Sequence, residues 1–247
     1  MQQYFVKGLA ISPVTIEDKE TSKHMFQVMR LEEDDEVTLV FDDGIKRLAR
    51  VVNVEARQLE LIEELADNVE LPIQVTIASG FPKGDKLEFI TQKVTELGAS
   101  QIWAFPADWS VAKWDGKKLV KKVEKLEKIA LGAAKQSKRN LVPSITLFEK
   151  KSDFLVQLDQ FDRIVVAYEE SAKEGEAAAL IQSLTGLEAG SKLLVIFGPE
   201  GGLSPAEIES FTAKGAVLAG LGPRILRAET APLYALSAVS VVTELMN

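Results

Sequence analysis

The 247 residues are 46% apolar and 27% charged, which suits one large folded domain or two modest ones with substantial cores. There is no cysteine, which excludes a disulfide framework, thiolate nucleophiles, iron–sulfur clusters and Cys-bound zinc, and no metal site is expected. The net charge is −8, yet residues 113–139 hold ten Lys or Arg against three acids, so this stretch carries +7 and the rest of the chain −15. Charge acts locally, over a Debye length of about 8–10 Å, so such a strip can serve a polyanion on an acidic protein. A solvated helix face reads equally well from charge alone.

The opening MQQYFVKGLA lacks a basic segment followed by an apolar core, so no signal peptide is expected. No run of about 18 apolar residues is present, so neither a membrane span nor a membrane partner is expected. A cytoplasmic setting follows as the expectation.

Residues 1–70 read as short β segments. Glu36 to Phe41 is strand-like, with a turn at Asp42-Asp43-Gly44. Arg47 to Val54 and Gln58 to Leu61 continue the pattern, which predicts a small barrel or meander. One helix is predicted from Thr21 or Ser22 toward Met29, and the acid-rich stretch Glu63 to Glu70 reads as a linker.

From Leu71 strands and helices alternate, which predicts a parallel sheet covered on both faces. Strands are predicted at Pro72–Ala78, Gln101–Phe105, Arg163–Ala167, Leu193–Phe197 and Ala216–Leu221. Helices are predicted after Gly84 with Gly98 as C-terminal cap, over Lys117–Ser137, over Glu174–Ser183, and from Ala231 to about Met246.

Two loops carry the chemistry. Lys192 to Phe197 runs into Gly198-Pro199-Glu200-Gly201-Gly202-Leu203 and then Ser204-Pro205-Ala206-Glu207, a capping box with proline in the first turn. Glycines let a backbone approach a ligand where a Cβ would clash, and ligands of open α/β sheets sit beyond the carboxyl ends of strands. A tight strand–helix connection explains the same residues. No Gly-Lys-Ser/Thr and no early G-x-G-x-x-G is present, so a P-loop and a dinucleotide fold are unsupported. The second loop runs from Gly222-Pro223 through Arg224 to Thr230, into a helix apolar nearly all round; a buried core helix and a helix needing a partner fit equally.

Gly198-Pro199-Glu200-Gly201-Gly202 together with Leu221-Gly222-x-Arg224-Ile225-Leu226-Arg227-x-Glu229-Thr230-Ala231 resembles the RsmE family of 16S rRNA uridine-N3 methyltransferases, in the SPOUT superfamily. Gln92-Lys93-Val94-Thr95-Glu96-Leu97-Gly98, Gln136-Ser137-x-Arg139 with Pro143, Tyr4-Phe5-Val6, and His24 with Val28-Met29-Arg30 are similar to further family segments, in order along nearly the whole chain.

The resemblance implies a PUA-like β-barrel RNA-binding domain over residues 1–70 and a SPOUT α/β domain with a parallel sheet and a deep trefoil knot over 71–247. Composition and periodicity could not show a knot. It implies S-adenosylmethionine (AdoMet) as methyl donor, 16S rRNA of the small ribosomal subunit as substrate, and a homodimer through the SPOUT domain. By residue, Gly198, Glu200, Gly201 and Gly202 would line one side of AdoMet, and Leu221, Gly222, Ile225, Leu226 and Arg227 the other. Arg139 and Arg227 are candidates to stabilise charge on the uracil, and Glu200 is a candidate base. Arg30, Lys113, Gln136, Lys138 and Arg139 are candidates for RNA contact. His24, the sole histidine, reads as structural or RNA-facing. Two positions depart from the family pattern: Trp109 stands where an Arg is common, and Lys135 where a Glu is common. Trp109 reads as a packed loop aromatic or as a platform for a base. The alternatives are a SPOUT enzyme with another RNA nucleotide as target, or a non-catalytic RNA-binding protein. The glycines at 198, 201, 202 and 222 disfavour the second, since a lost cofactor site need not keep them. A Rossmann-type methyltransferase would place its glycine loop after the first strand.

Overall fold

The computed structural model describes residues 1–169 and 178–246, which form two compact units. The first comprises Met1–Glu70 and Ala134–Leu141; the second comprises Leu71–Ala133 and the chain from Val142 onward.

The first unit is built on β1 (Gln3–Phe5), β2 (Val14–Thr15), β3 (Glu36–Val40), β4 (Lys46–Asn53) and β5 (Gln58–Leu65). They form one sheet in the order β1-β3-β4-β5-β2, antiparallel except for β1 beside β3. Alternation along β3 and β4 turns Val37, Leu39, Ala49 and Val51 into a core shared with Tyr4, Met25 and Leu59. Helix α1 (Lys19–Lys23) starts earlier than the sequence suggests, because Asp18 caps it by accepting the Thr21 N–H at 2.7 Å. It continues as a π-helical turn, His24–Val28. His24 Nδ1 lies 3.0 Å from the Tyr4 hydroxyl.

The acidic stretch before Leu71 is not a linker. Glu63 to Leu65 finish β5, Asp67 pairs with the buried Lys46, and the Glu70 carboxylate accepts the backbone N–H of Asn140 at 2.7 Å. Asn140 in turn caps Val69 N–H and donates to the carbonyls of Gly44 and Asp67. These bonds group residues 134–141 with the β sheet.

The second unit holds a fully parallel sheet. Its strands are β6 (Gln74–Gly80), β7 (Gln101–Phe105), β8 (Ser144–Leu147), β9 (Arg163–Ala167), β10 (Lys192–Phe197) and β11 (Val217–Ala219), in the order β11-β9-β10-β6-β7-β8. The helices are α2 (Lys86–Glu96), α3 (Gly116–Gln136), α4 (Lys151–Val156), α5 (Ala179–Leu184), α6 (Pro205–Thr212) and α7 (Ala231–Ser240). Along β10, Leu193, Val195 and Phe197 enter one core with α2, α5 and α7, and Leu194 and Ile196 enter the other with α4 and α6. Two covered faces explain why the strand is an unbroken apolar run. Leu194 is fully buried, and cutting it to Ala would cost about 2–5 kcal/mol.

Gly98 ends α2 with φ +102°, as expected of a left-handed cap. Helix α3 opens where Asp115 accepts the Lys118 N–H at 2.9 Å, and it packs Leu119 and Leu126 on Phe81 and Leu87. The capping box at α6 is present, Ser204 with Glu207. Thr230 stands before α7 without a side-chain cap bond, and the chain continues past Ser240 as a π-helical turn, Val241–Leu245. Strand β8 and helix α4 add to the predicted elements. Of the helix predicted over Glu174–Ser183, residues 174–177 lie outside the described residues; α5 covers Ala179 onward. Among the described residues no helix is long and apolar enough to cross a membrane.

Candidate functional site

The loops that follow β10 and β11 face one cavity of about 620 Å³, at the carboxyl ends of parallel strands. Gly198 to Leu203 form the first wall. Gly202 closes a tight turn by donating to the Pro199 carbonyl at 2.9 Å, with φ +80°. A Cβ on Gly198 would lie 2.8 Å from the Gly202 carbonyl carbon, so backbone passes backbone there with no room for a side chain. The second wall is Ile225 to Ala228, leading into α7. Phe197, Leu226 and Ala231 give the cavity apolar lining, and Lys86, Glu200 and Arg227 give it charged lining.

Of the residues expected to hold the methyl donor, Gly198, Glu200, Gly201, Gly202, Ile225, Leu226 and Arg227 line this cavity. Leu221 and Gly222 line an adjoining pocket of about 100 Å³ that shares Ile225 and Leu226.

Three charges tie the walls together. Lys86 Nζ, in the first turn of α2, lies 3.0 Å from Glu200 Oε1 and 3.0 Å from Glu229 Oε2. Glu200 Oε1 also accepts the Lys83 backbone N–H at 3.1 Å. Burial pushes the Glu200 carboxyl up, but its own backbone N–H, the Lys86 ammonium and the Lys83 N–H together hold it below the usual carboxylate range. Lys86 holds Glu229 low against burial, and the pair of carboxylates, Glu229 foremost, raises Lys86. A carboxylate held low is a poor proton acceptor, so Glu200 suits an anchoring role better than that of a base.

Arg227 is exposed at the cavity, close enough to contribute to the lowering of Glu229. Arg139 stands elsewhere. Its side chain is 2% exposed, its Nε donates to both Glu70 oxygens at 3.1 and 3.2 Å, and its Nη2 pairs with the same carboxylate. Buried and paired in this way, Arg139 is not among the residues that line the cavity. Arg30, Lys113, Gln136 and Lys138 are exposed. Lys138 Nζ donates to the Met1 carbonyl at 2.7 Å.

Sequence reasoning did not assign Lys86 or Glu229. Glu229 sits inside the quoted second motif, but nothing local marks Lys86, whose partners come from distant loops. Among the described residues no group of three or more His, Asp or Glu is placed to hold a metal ion.

Residues 69–240 match the sequence model of the RNA methyltransferase domain family, and residues 16–64 match that of the RNA methyltransferase PUA domain. The chain is 46% identical to the ribosomal RNA small subunit methyltransferase E of Bacillus subtilis (strain 168), over 100% of this chain and 99% of that protein. A crystal structure of a hypothetical protein, 44% identical, superposes with a TM-score of 0.91 over 100% of both chains. A methyltransferase-like Legionella pneumophila protein in complex with the bound cofactor SAM, 26% identical, gives 0.80 over 97% of this chain and 96% of that one. The chain belongs to the ribosomal RNA small subunit methyltransferase E family of RNA methyltransferases.

Proposed function

We propose that this protein transfers a methyl group from AdoMet to N3 of a uridine in 16S rRNA of the small ribosomal subunit. The observation that carries the reading is the cavity between the Gly198–Gly202 loop and the Ile225–Arg227 loop. Its volume falls within the roughly 300–1,000 Å³ typical of small-molecule sites. A lining that joins apolar and charged side chains suits a ligand that joins a purine to a zwitterionic amino-acid end. The Bacillus subtilis relative's name and the SAM-bound Legionella protein support the substrate and the donor.

AdoMet, when bound, supplies an electrophilic methyl group on a sulfonium. The chain's own residues hold and orient. The glycine loop brings main-chain groups to the ligand, and Ile225 and Leu226 give an apolar wall. Arg227, exposed at the cavity, stabilises the negative charge that spreads onto the uracil oxygens as N3 loses its proton. Lys86, through Glu200 and Glu229, keeps the two walls in register. Placement of reacting groups alone is worth up to about 7–11 kcal/mol. N3 lies on the Watson–Crick edge, so the target base must be unpaired or flipped out.

The RNA partner is engaged by exposed cations, Arg30, Lys113 and Lys138 with Gln136, and by the lysines of α3. The protein acts in the cytoplasm as a homodimer through the knotted domain. The apolar end of the chain supports the dimer: Tyr234, Val241, Leu245 and Met246 are 42–75% exposed.

The test is methylation of small subunits from a strain lacking the modification, alongside naked rRNA, with the product nucleoside identified by mass spectrometry. N3-methyluridine at one site is expected. Another methylated nucleoside would overturn the assigned target atom.

A further inference from the structure

Trp109 follows β7 and lines the glycine-loop cavity, and 49% of the residue is exposed. An aromatic ring left open beside a cavity offers a flat apolar face on which a planar group can pack. Its position is well fixed. The neighbouring Asp108 donates its N–H to Glu207 Oε1 at 2.9 Å, and its carboxylate accepts the Ser204 hydroxyl at 2.6 Å and pairs with Lys151. Ser110 N–H bonds the Ala107 carbonyl at 2.9 Å, closing the turn that carries the ring. The backbone of the glycine loop packs directly beneath: a Cβ on Gly201 would come within 3.0 Å of Trp109 Cβ and 3.2 Å of its carbonyl oxygen. Ring carbons Cε3 and Cζ3 approach Gly202, each 3.9 Å from where its Cβ would be. One edge of the ring thus rests on the glycine loop while much of the residue stays open at the cavity.

We infer that Trp109 is a stacking platform for a planar nucleobase at the mouth of the cavity, and that this base belongs to the RNA. The inference rests on the reading of the cavity as the methyl-donor site. Two bases share the chemistry, the purine of the donor and an unstacked base of the RNA. The pocket lined by Leu221, Gly222 and Leu226, on the second loop, does not include Trp109, so a purine seated there leaves the indole free. Stacking on an aromatic ring is tolerant of base identity, so Trp109 adds affinity for a splayed-out base while the selection of N3 falls to other groups.

The test compares the full-length protein with Trp109→Leu, which keeps apolar bulk, and Trp109→Phe, which keeps a stacking face. Binding of AdoMet is measured by calorimetry. Binding of a single-stranded uridine-containing RNA oligonucleotide is measured by anisotropy, and thermal melting shows that each variant is folded. Expected is a roughly tenfold weaker RNA affinity for Trp109→Leu, substantial rescue in Trp109→Phe, and a smaller change in AdoMet affinity than in RNA affinity. Loss of AdoMet affinity with unchanged RNA affinity would overturn the assignment and give the stacked base to the donor. Unchanged affinity for both ligands in Trp109→Leu would overturn the platform altogether. Failure of the wild-type protein to bind AdoMet would instead sink the reading of the cavity.

Discussion

Lys86 and Glu200 form an ion pair at 3.0 Å that joins the first turn of α2 to the glycine loop after β10. The same ammonium reaches Glu229 on the loop before α7, so one side chain spans both walls of the cavity. Charge-assisted contacts of this kind are stronger than neutral ones, and here all three groups are less than a third exposed.

Lys86→Met is therefore expected to lower stability by about 1 kcal/mol, the surface exposure of the groups trimming the full value of a charged hydrogen bond. AdoMet affinity should fall several-fold more than this loss of stability alone would produce, because the walls lose register. Lys86→Arg should retain most of both. Calorimetry and thermal melting on the two variants check it; equal AdoMet affinity in Lys86→Met would contradict the role.

The same cluster predicts a pH profile. Glu200 and Glu229 lie below the ordinary carboxyl value of 4.5 in the folded protein, so their contribution is full above that value and is lost as pH falls through the lowered ones. Lys86 lies above its ordinary 10.5, so its contribution is full below that and is lost as pH rises through the raised value. Wild-type stability minus that of Lys86→Met, followed by denaturant titration, should be flat near neutrality and shrink at both limits. A difference independent of pH would show that the cluster adds nothing electrostatic.

Arg139 and Glu70 make a different prediction. Glu70→Gln removes a carboxylate that pairs with the buried Arg139 guanidinium, and breaking such a pair from one side costs about 3–5 kcal/mol. Arg139→Met should be tolerated better than Glu70→Gln, since replacing a buried charge by an apolar side chain costs less than removing its ion-pair partner. Chemical denaturation of both variants checks this order. A variant at Arg139 that keeps full stability but loses turnover would show a catalytic role for the residue.

The exposed lysines of α3 bear on RNA. Replacing Lys117, Lys118 and Lys121 by Gln should reduce the slope of log affinity against log salt by about 2, at roughly 0.7 per phosphate contact on single strands, with AdoMet binding untouched. An unchanged slope would return α3 to a merely solvated face.

Much of the second unit was legible because β-branched and apolar runs are bracketed by clear breakers: β7 and β9 fall where expected, and the Ser204–Glu207 capping box is a local signal that tertiary context did not override. Strand β8 was not legible, being a four-residue edge strand with Ser144 exposed and the other three residues only half-buried, and with no strong apolar period. The burial of Arg139 was not legible because charge in a basic stretch suggests solvent, while the carboxylate that pairs with it, Glu70, lies in a segment that looks like a linker. Lys86 was invisible for the same reason: an ion pair between distant loops leaves no periodicity in the chain. The glycines, by contrast, mark a tight turn locally, and it was the resemblance of the two motifs to a known family that pointed to them as walls of one site.

The most direct test of the central claim is titration of AdoMet into the wild-type protein and into Gly198→Ala. The added methyl has backbone 2.8 Å away and no flexible side chain to displace. Saturable binding by the wild-type protein, reduced at least tenfold in a Gly198→Ala variant that still melts cooperatively, is the expected result. No binding by the wild-type protein, or equal binding by a folded Gly198→Ala, would contradict the assignment of the glycine-loop cavity as the methyl-donor site.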